Sequence, residues 1–214
     1  MIIPTRLAEY IVAAMVIILA PGPSVLFVIA RAIAWGRKTA VLTVAGNVTG
    51  AFSLSVFVAL GLGPILQRSD LAYIAVQWGG GLYLIYLGVD AIRKRTVHAA
   101  DMTNQGDFAP SARRSMWDGY WVGALNPKGV VFFAAVLPQF IDRERGSVTS
   151  QLILLGGIFA ILAFVSDGTW GLLAGTAREW LATDSKRLEK LRATGGVIMI
   201  VLGLGVLYSA IVSA

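Results

Sequence analysis

The sequence predicts an all-α polytopic membrane protein: six transmembrane helices, built as two inverted three-helix repeats, with helices 1 and 4 broken. Three observations predict it. The chain is 57% hydrophobic and only 14% charged, with a mean hydropathy of +0.73, whereas a soluble domain carries about a quarter charged residues. Six apolar stretches each reach the roughly 20 residues a helix needs to cross about 30 Å of hydrocarbon. Two of those stretches carry a proline-containing break at matching places in the two halves of the chain.

The six stretches run Leu7–Ala34, Ala40–Leu66, Leu71–Ile92, Trp117–Ile141, Ser150–Ala177 and Leu191–Val212. None alternates apolar and polar residues with a period of two, and all are too long for strands. The first is not read as a cleaved signal, because its apolar run resumes after Pro23 without a convincing cleavage site.

The loops orient the helices. Loops one, three and five hold Arg31, Arg37, Lys38, Arg93, Lys94, Arg95, Arg113, Arg114, Arg178, Lys186, Arg187, Lys190 and Arg192. The opposite side holds only Arg6, Arg68, Arg143 and Arg145. Positively charged loops stay inside, so both termini are expected outside a bacterial inner membrane. The expected organisation is a first repeat over 1–92, a cytoplasmic linker over 93–116 and a second repeat over 117–214.

The halves look related. "LAPGPSVLFVIA" at 19–30 precedes "LNPKGVVFFAAV" at 125–136 by close to 106 residues, and Pro21 falls on Pro127. Three spans per half force the second copy to run upside down. In inverted-repeat transporters the binding site lies near the midplane, where the paired helices are interrupted.

The interruptions supply the first candidate site residues. In "APGP", Pro21 and Pro23 remove two backbone donors and clash with carbonyls one turn earlier, while Gly22 between them gives flexibility. Freed backbone groups cannot face lipid, so the break must face protein or a water-filled cavity. The N–H groups from Ser24 onward start a half-helix whose positive end suits an anion. A plain proline kink is the alternative for one proline; a Pro-Gly-Pro matched by a second break at Asn126 and Pro127 points to function.

Lys128 follows that second break, with apolar sequence for roughly ten residues on either side. A charge at the centre of a span costs about 2.5–3.5 kcal/mol on insertion scales. Lys128 should therefore face the bundle interior and meet a carboxylate, either that of a substrate or that of Asp167. Asp167 is the only acidic residue well inside a span, since Glu9, Asp90, Asp118 and Asp142 lie near segment ends. A buried carboxylate can exchange a proton or accept an ammonium. Together Lys128 and Asp167 match a zwitterion. Asn47, inside "GNVTG", is a buried amide that could line the same cavity. Trp170 could wall a pocket, and most of the 24 glycines should serve close helix packing.

Other function classes fare worse. Cysteine is absent and histidine occurs once, as His98, so thiol redox chemistry is excluded and neither metal nor cofactor is expected. The net charge of +6 is spread over loops, so no nucleic acid partner is expected. A cation exporter would want several embedded carboxylates. A membrane enzyme would need a nucleophile with its base, and the spans offer none in recognisable spacing.

"PGPSVLFVIARAIAWGRKTAVLTVAGNVTG" resembles the opening signature of the LysE/RhtB family of amino-acid exporters. "WGGGLYLIYLGVDAIRKR", "GALNPKGVVFFAAVLPQF" and "RLEKLRATGGVIMIVLGLGVL" are similar to its third, fourth and last spans. The resemblance implies proton-driven efflux of an amino acid or derivative across the bilayer by a homodimer, and selects no one substrate.

Overall fold

The computed structural model describes residues 4–20, 22–94, 109–144, 146–176 and 185–212. All regular structure among them is helical. We number the helices α1 (Leu7–Leu19), α2 (Pro23–Arg68), α3 (Asp70–Arg93), α4 (Ala112–Ala124), α5 (Pro127–Val131), α6 (Val148–Thr176) and α7 (Ser185–Val212). Beyond α5 the chain continues as one π turn, Phe132–Val136, and one 3-10 turn, Leu137–Phe140. Among the described residues, four helices are long and apolar enough to cross a membrane. A fifth span appears if Ala112–Ala124 and Pro127–Phe140, bent by 44°, count as one.

α2 is two helices in one continuous run. Gly36 sits at φ 79°, ψ −178°, a backbone that residues with a Cβ rarely adopt. At about 1.5 Å per residue, a straight helix of this length would be far longer than the bilayer is thick. Val25, Val28, Ile29, Ala32 and Ile33 instead share one buried cluster with Ala40 and Val44. The residues before and after Gly36 therefore pack on each other.

A polar first turn extends α4 beyond its apolar stretch. α4 starts at Ala112, inside the segment expected as linker. Ser111 caps it by accepting from the Arg114 N–H at 3.3 Å. Ser69 caps α3 in the same way, through the Ala72 N–H at 3.1 Å. The rest of the linker, 95–108, lies outside the described residues.

Glycines set two helix pairs, as the sequence suggests. α4 lies on the latter half of α2, where a Cβ at Gly46 or Gly50 would run into the backbone of Met116 or Tyr120. In return, a Cβ at Gly119 or Gly123 would meet the backbone of Thr43 or Asn47. α3 and α7 pair through Gly81 against Gly203 and Gly88 against Gly196. Close backbone approach of this kind replaces the hydrophobic drive that lipid does not supply.

The main core forms under the π turn. Phe132 and Phe133 each place their ring centroids 5.0 Å from that of Phe159 on α6. Tyr10 of α1 packs into the same cluster and its hydroxyl donates to the Leu155 carbonyl at 2.7 Å. This ties α1 to α6 directly beneath the two breaks.

Candidate functional site: two helix breaks on a shared polar cavity

The first break falls between Leu19 and Pro23. Ala20 turns extended, at φ −64° and ψ 112°, and Pro23 opens α2, where its missing N–H leaves nothing unsatisfied. Pro21 itself lies outside the described residues. The second break falls between Ala124 and Pro127. Asn126 turns extended there, and its side-chain oxygen accepts from the Lys128 N–H at 3.1 Å. Its amide nitrogen donates to Ser24 Oγ at 3.0 Å. The two breaks therefore touch, although 102 positions separate their partners.

Lys128 is 5% exposed. Its ammonium donates to the carbonyl oxygens of Ile17 at 2.9 Å and Ala20 at 2.8 Å. A helix end leaves its last carbonyls without partners and carries the negative pole of the dipole. The lysine thus caps the broken end of α1, and a charge in the apolar interior is solvated by main chain. No ion pair joins Lys128 to Asp167 among the described residues, so the direct pairing considered from the sequence does not form. Gly22 lets the lysine pass: a Cβ there would meet its Nζ, Cε and Cδ at 3.1–3.3 Å.

Asp167, 5% exposed on α6, accepts a hydrogen bond from Asn47 Nδ2 at 3.2 Å through Oδ2. Asn47 Oδ1 is buried with no hydrogen-bond partner among the described residues. Orphaned buried acceptors are uncommon and costly, so this one marks a place where a donor is wanted.

Ser24, Asn47, Asn126, Lys128 and Asp167 line a single cavity of about 30 Å³ whose remaining walls are apolar. Five of the expected site residues are thus brought together from α2, α5, α6 and the cap of α5. Gly22, Pro23 and Pro127 line a neighbouring cavity of about 50 Å³, which Lys128 also borders. Trp170 lines neither; it borders a wider apolar cavity on the outer side of α1 and α6.

Asp90 and Arg192, which also line the neighbouring cavity, escape the sequence reading. Both sit at segment ends, where a solvated charge is the default. The seven-residue spacing of Gly81 with Gly88 and of Gly196 with Gly203 was the available signal. A glycine seam of that kind zips α3 to α7 and brings the two charges onto one interface.

Comparisons with known proteins bear on this arrangement. No solved structure matches the chain. The chain is 29% identical to a homoserine/homoserine lactone efflux protein of Salmonella typhimurium, over 90% of this chain and 91% of that protein. It is 28% identical to a leucine efflux protein of Enterobacter sp., over 85% of each chain. It is 31% identical to a threonine efflux protein of Escherichia coli, over 69% of each. The family match runs over residues 15–210 and so takes in both breaks, Asn47 and Asp167: this multi-pass membrane protein belongs to the LysE type translocator family.

Proposed function

We propose that the protein exports a zwitterionic amino acid, or a close derivative, across a bacterial plasma membrane by secondary active transport coupled to protons. The observation that carries this reading is the shared polar cavity at the two helix breaks. A carboxylate fits its α2 side, where the first-turn N–H groups of Ser24 and Val25 lack helical acceptors. An ammonium fits the opposite side, between Asp167 and the orphaned oxygen of Asn47. Lys128, with two donors committed to α1, keeps one for the substrate carboxylate. The efflux named for three relatives, of homoserine and its lactone, leucine and threonine, supports the same class.

The six-span, inverted-repeat design belongs to this reading. Gly36 divides α2 into two spans, and α1 joins the first of these across the break, giving six in all. Helices 1 and 4 then correspond, each interrupted where the other touches it. Alternating access follows if one half rocks on the other. Asp167 is the proton carrier, because among the described residues it is the one carboxylate lining the cavity. The positive loops support an orientation with both termini outside.

The test is flux. Inverted vesicles carrying the protein should accumulate radiolabelled homoserine, threonine or leucine against a gradient when a pH difference is imposed. No accumulation of any of the three, with protein demonstrably folded in the membrane, would remove the proposal.

A further inference from the structure

The neighbouring cavity is built as carefully as the first, and no step of the proposed export uses it. Arg192 of α7 is 9% exposed. Its Nε donates to the Ala91 carbonyl at 3.2 Å, which satisfies the free end of α3. Its other guanidinium nitrogens make no hydrogen bond or ion pair among the described residues. A guanidinium has five N–H donors, and stapling α3 to α7 needs one. Asp90, at the end of α3, is held through Oδ1 by Lys94 at 2.7 Å, and among the described residues no hydrogen bond or ion pair reaches Oδ2. The cavity therefore presents a cation and a half-used carboxylate on one wall, and Gly22, Pro127 and Lys128 on the other. Lys128 borders both cavities. Its stem, lying against Gly22, is the partition between them.

We infer that this cavity is a second binding station for an α-amino acid zwitterion. The carboxylate is received by the free nitrogens of Arg192 and the ammonium by Asp90. Lys128 is the gate between this station and the one at Asp167. The inference rests on the proposed amino acid export. At about 30 and 50 Å³ the two spaces hold roughly one or two waters. The second station, walled by α3 and α7, therefore opens only when that pair moves away from the breaks, and closure around Lys128 keeps the two from being continuous. A purely structural Arg192 would need neither its spare donors nor a carboxylate one turn from Lys94.

Substrate protection of a thiol tests this, since the chain has no cysteine of its own. Met199 lines the second cavity and is 2% exposed. In Met199→Cys the rate of modification by aminoethyl methanethiosulfonate is measured in vesicles, with and without saturating threonine, leucine or homoserine. Protection of severalfold or more is expected. It should persist when Asp167→Asn is added and disappear when Arg192→Gln is added, while Arg192→Lys, which keeps the charge and the bond to Ala91, retains part of it. Leu87→Cys is the second reporter should Met199→Cys not fold. No modification of either free cysteine variant, no protection, or protection that survives Arg192→Gln but not Asp167→Asn would overturn the second station. Export by the parent protein is measured in the same vesicles. Export without protection sinks this inference alone, whereas absent export sinks the reading on which it rests.

Discussion

The ammonium of Lys128 donates to the carbonyl oxygen of Ile17 at 2.9 Å, across 111 positions of chain. With the Ala20 carbonyl at 2.8 Å, this places the buried cation at the negative pole of a helix that stops inside the packed interior. Its counter-charge is main chain rather than a side chain. The cost of burying it is offset by carbonyls that would otherwise be orphaned, and the break and the lysine each make the other tolerable.

The first prediction follows from that cap. Lys128→Met removes two charge-assisted bonds and leaves two buried carbonyls unmatched, so the protein should lose about 2–4 kcal/mol of stability. Melting temperature in detergent reads this directly. Lys128→Arg should recover part of the loss. An unchanged melting temperature with abolished flux would assign the lysine to substrate alone.

Packing gives the second. Gly123 lies on the backbone of Asn47, so Gly123→Leu must push α4 off α2 and displace the Asn47 side chain with it. Overpacking of this kind costs about 1–3 kcal/mol or more, and the variant should accumulate poorly and lose flux. Gly168, next to Asp167 in sequence, has open space where a Cβ would go, and Gly168→Ala should behave as the parent. Equal membrane levels and equal flux for both variants would contradict the close helix approach.

How much of this is legible in the sequence depends on range. The breaks are legible because proline chemistry is local: Pro23 and Pro127 lack a donor wherever they sit. Lys128, Asn47 and Asp167 stand out because a polar group within an apolar run is costly in any fold. The partner of Lys128 is not legible. Which carbonyls it meets depends on where α1 ends relative to α5, and no spacing within either segment encodes that. Asp90 and Arg192 illustrate the opposite failure. Each looks solvated from its own neighbours, and only the glycine seam between α3 and α7 brings them against the breaks. The turn at Gly36, by contrast, falls where the sequence offers a loop between two apolar stretches, because a glycine beside charged residues is a local signal.

Topology is the third prediction. If the chain is oriented as proposed, by the positive-inside rule, positions 104 and 185 face the cytoplasm and position 144 faces outside. Single cysteines at 104 and 185 should be shielded from an impermeant thiol reagent in intact cells, while one at 144 should react. Reaction at 104 and not at 144 would reverse the orientation.

A fourth concerns the first break. Pro21→Ala with Pro23→Ala restores two backbone donors and should let α1 run on into α2. The C-terminal carbonyls that Lys128 now caps would then be taken by helical N–H groups, and the lysine would be displaced from its place beside Gly22. Transport should fall to background with protein still inserted. Normal export by the double variant would reduce the break to a packing feature.

The last prediction separates the two tasks proposed for Asp167. Asp167→Asn keeps the shape of the side chain and its neighbour Asn47, but it can neither hold a negative charge nor cycle a proton. Weaker binding of the substrate ammonium alone would cost a charge-assisted hydrogen bond, about 1.5–3 kcal/mol, which is roughly ten- to hundredfold in apparent KM. Saturating substrate would then restore a gradient-driven rate. Loss of proton coupling behaves differently: at any substrate concentration, an imposed pH difference no longer speeds export, while counterflow exchange of labelled for unlabelled substrate continues. Because no ion pair links Asp167 to Lys128, replacing both with apolar residues should not rescue either single variant, as it would in a buried pair whose members only neutralise each other. We expect gradient-insensitive export with residual counterflow. Export that still accelerates under the imposed gradient, once normalised to folded protein, would leave Asp167 to the ammonium and send the search for the proton site elsewhere.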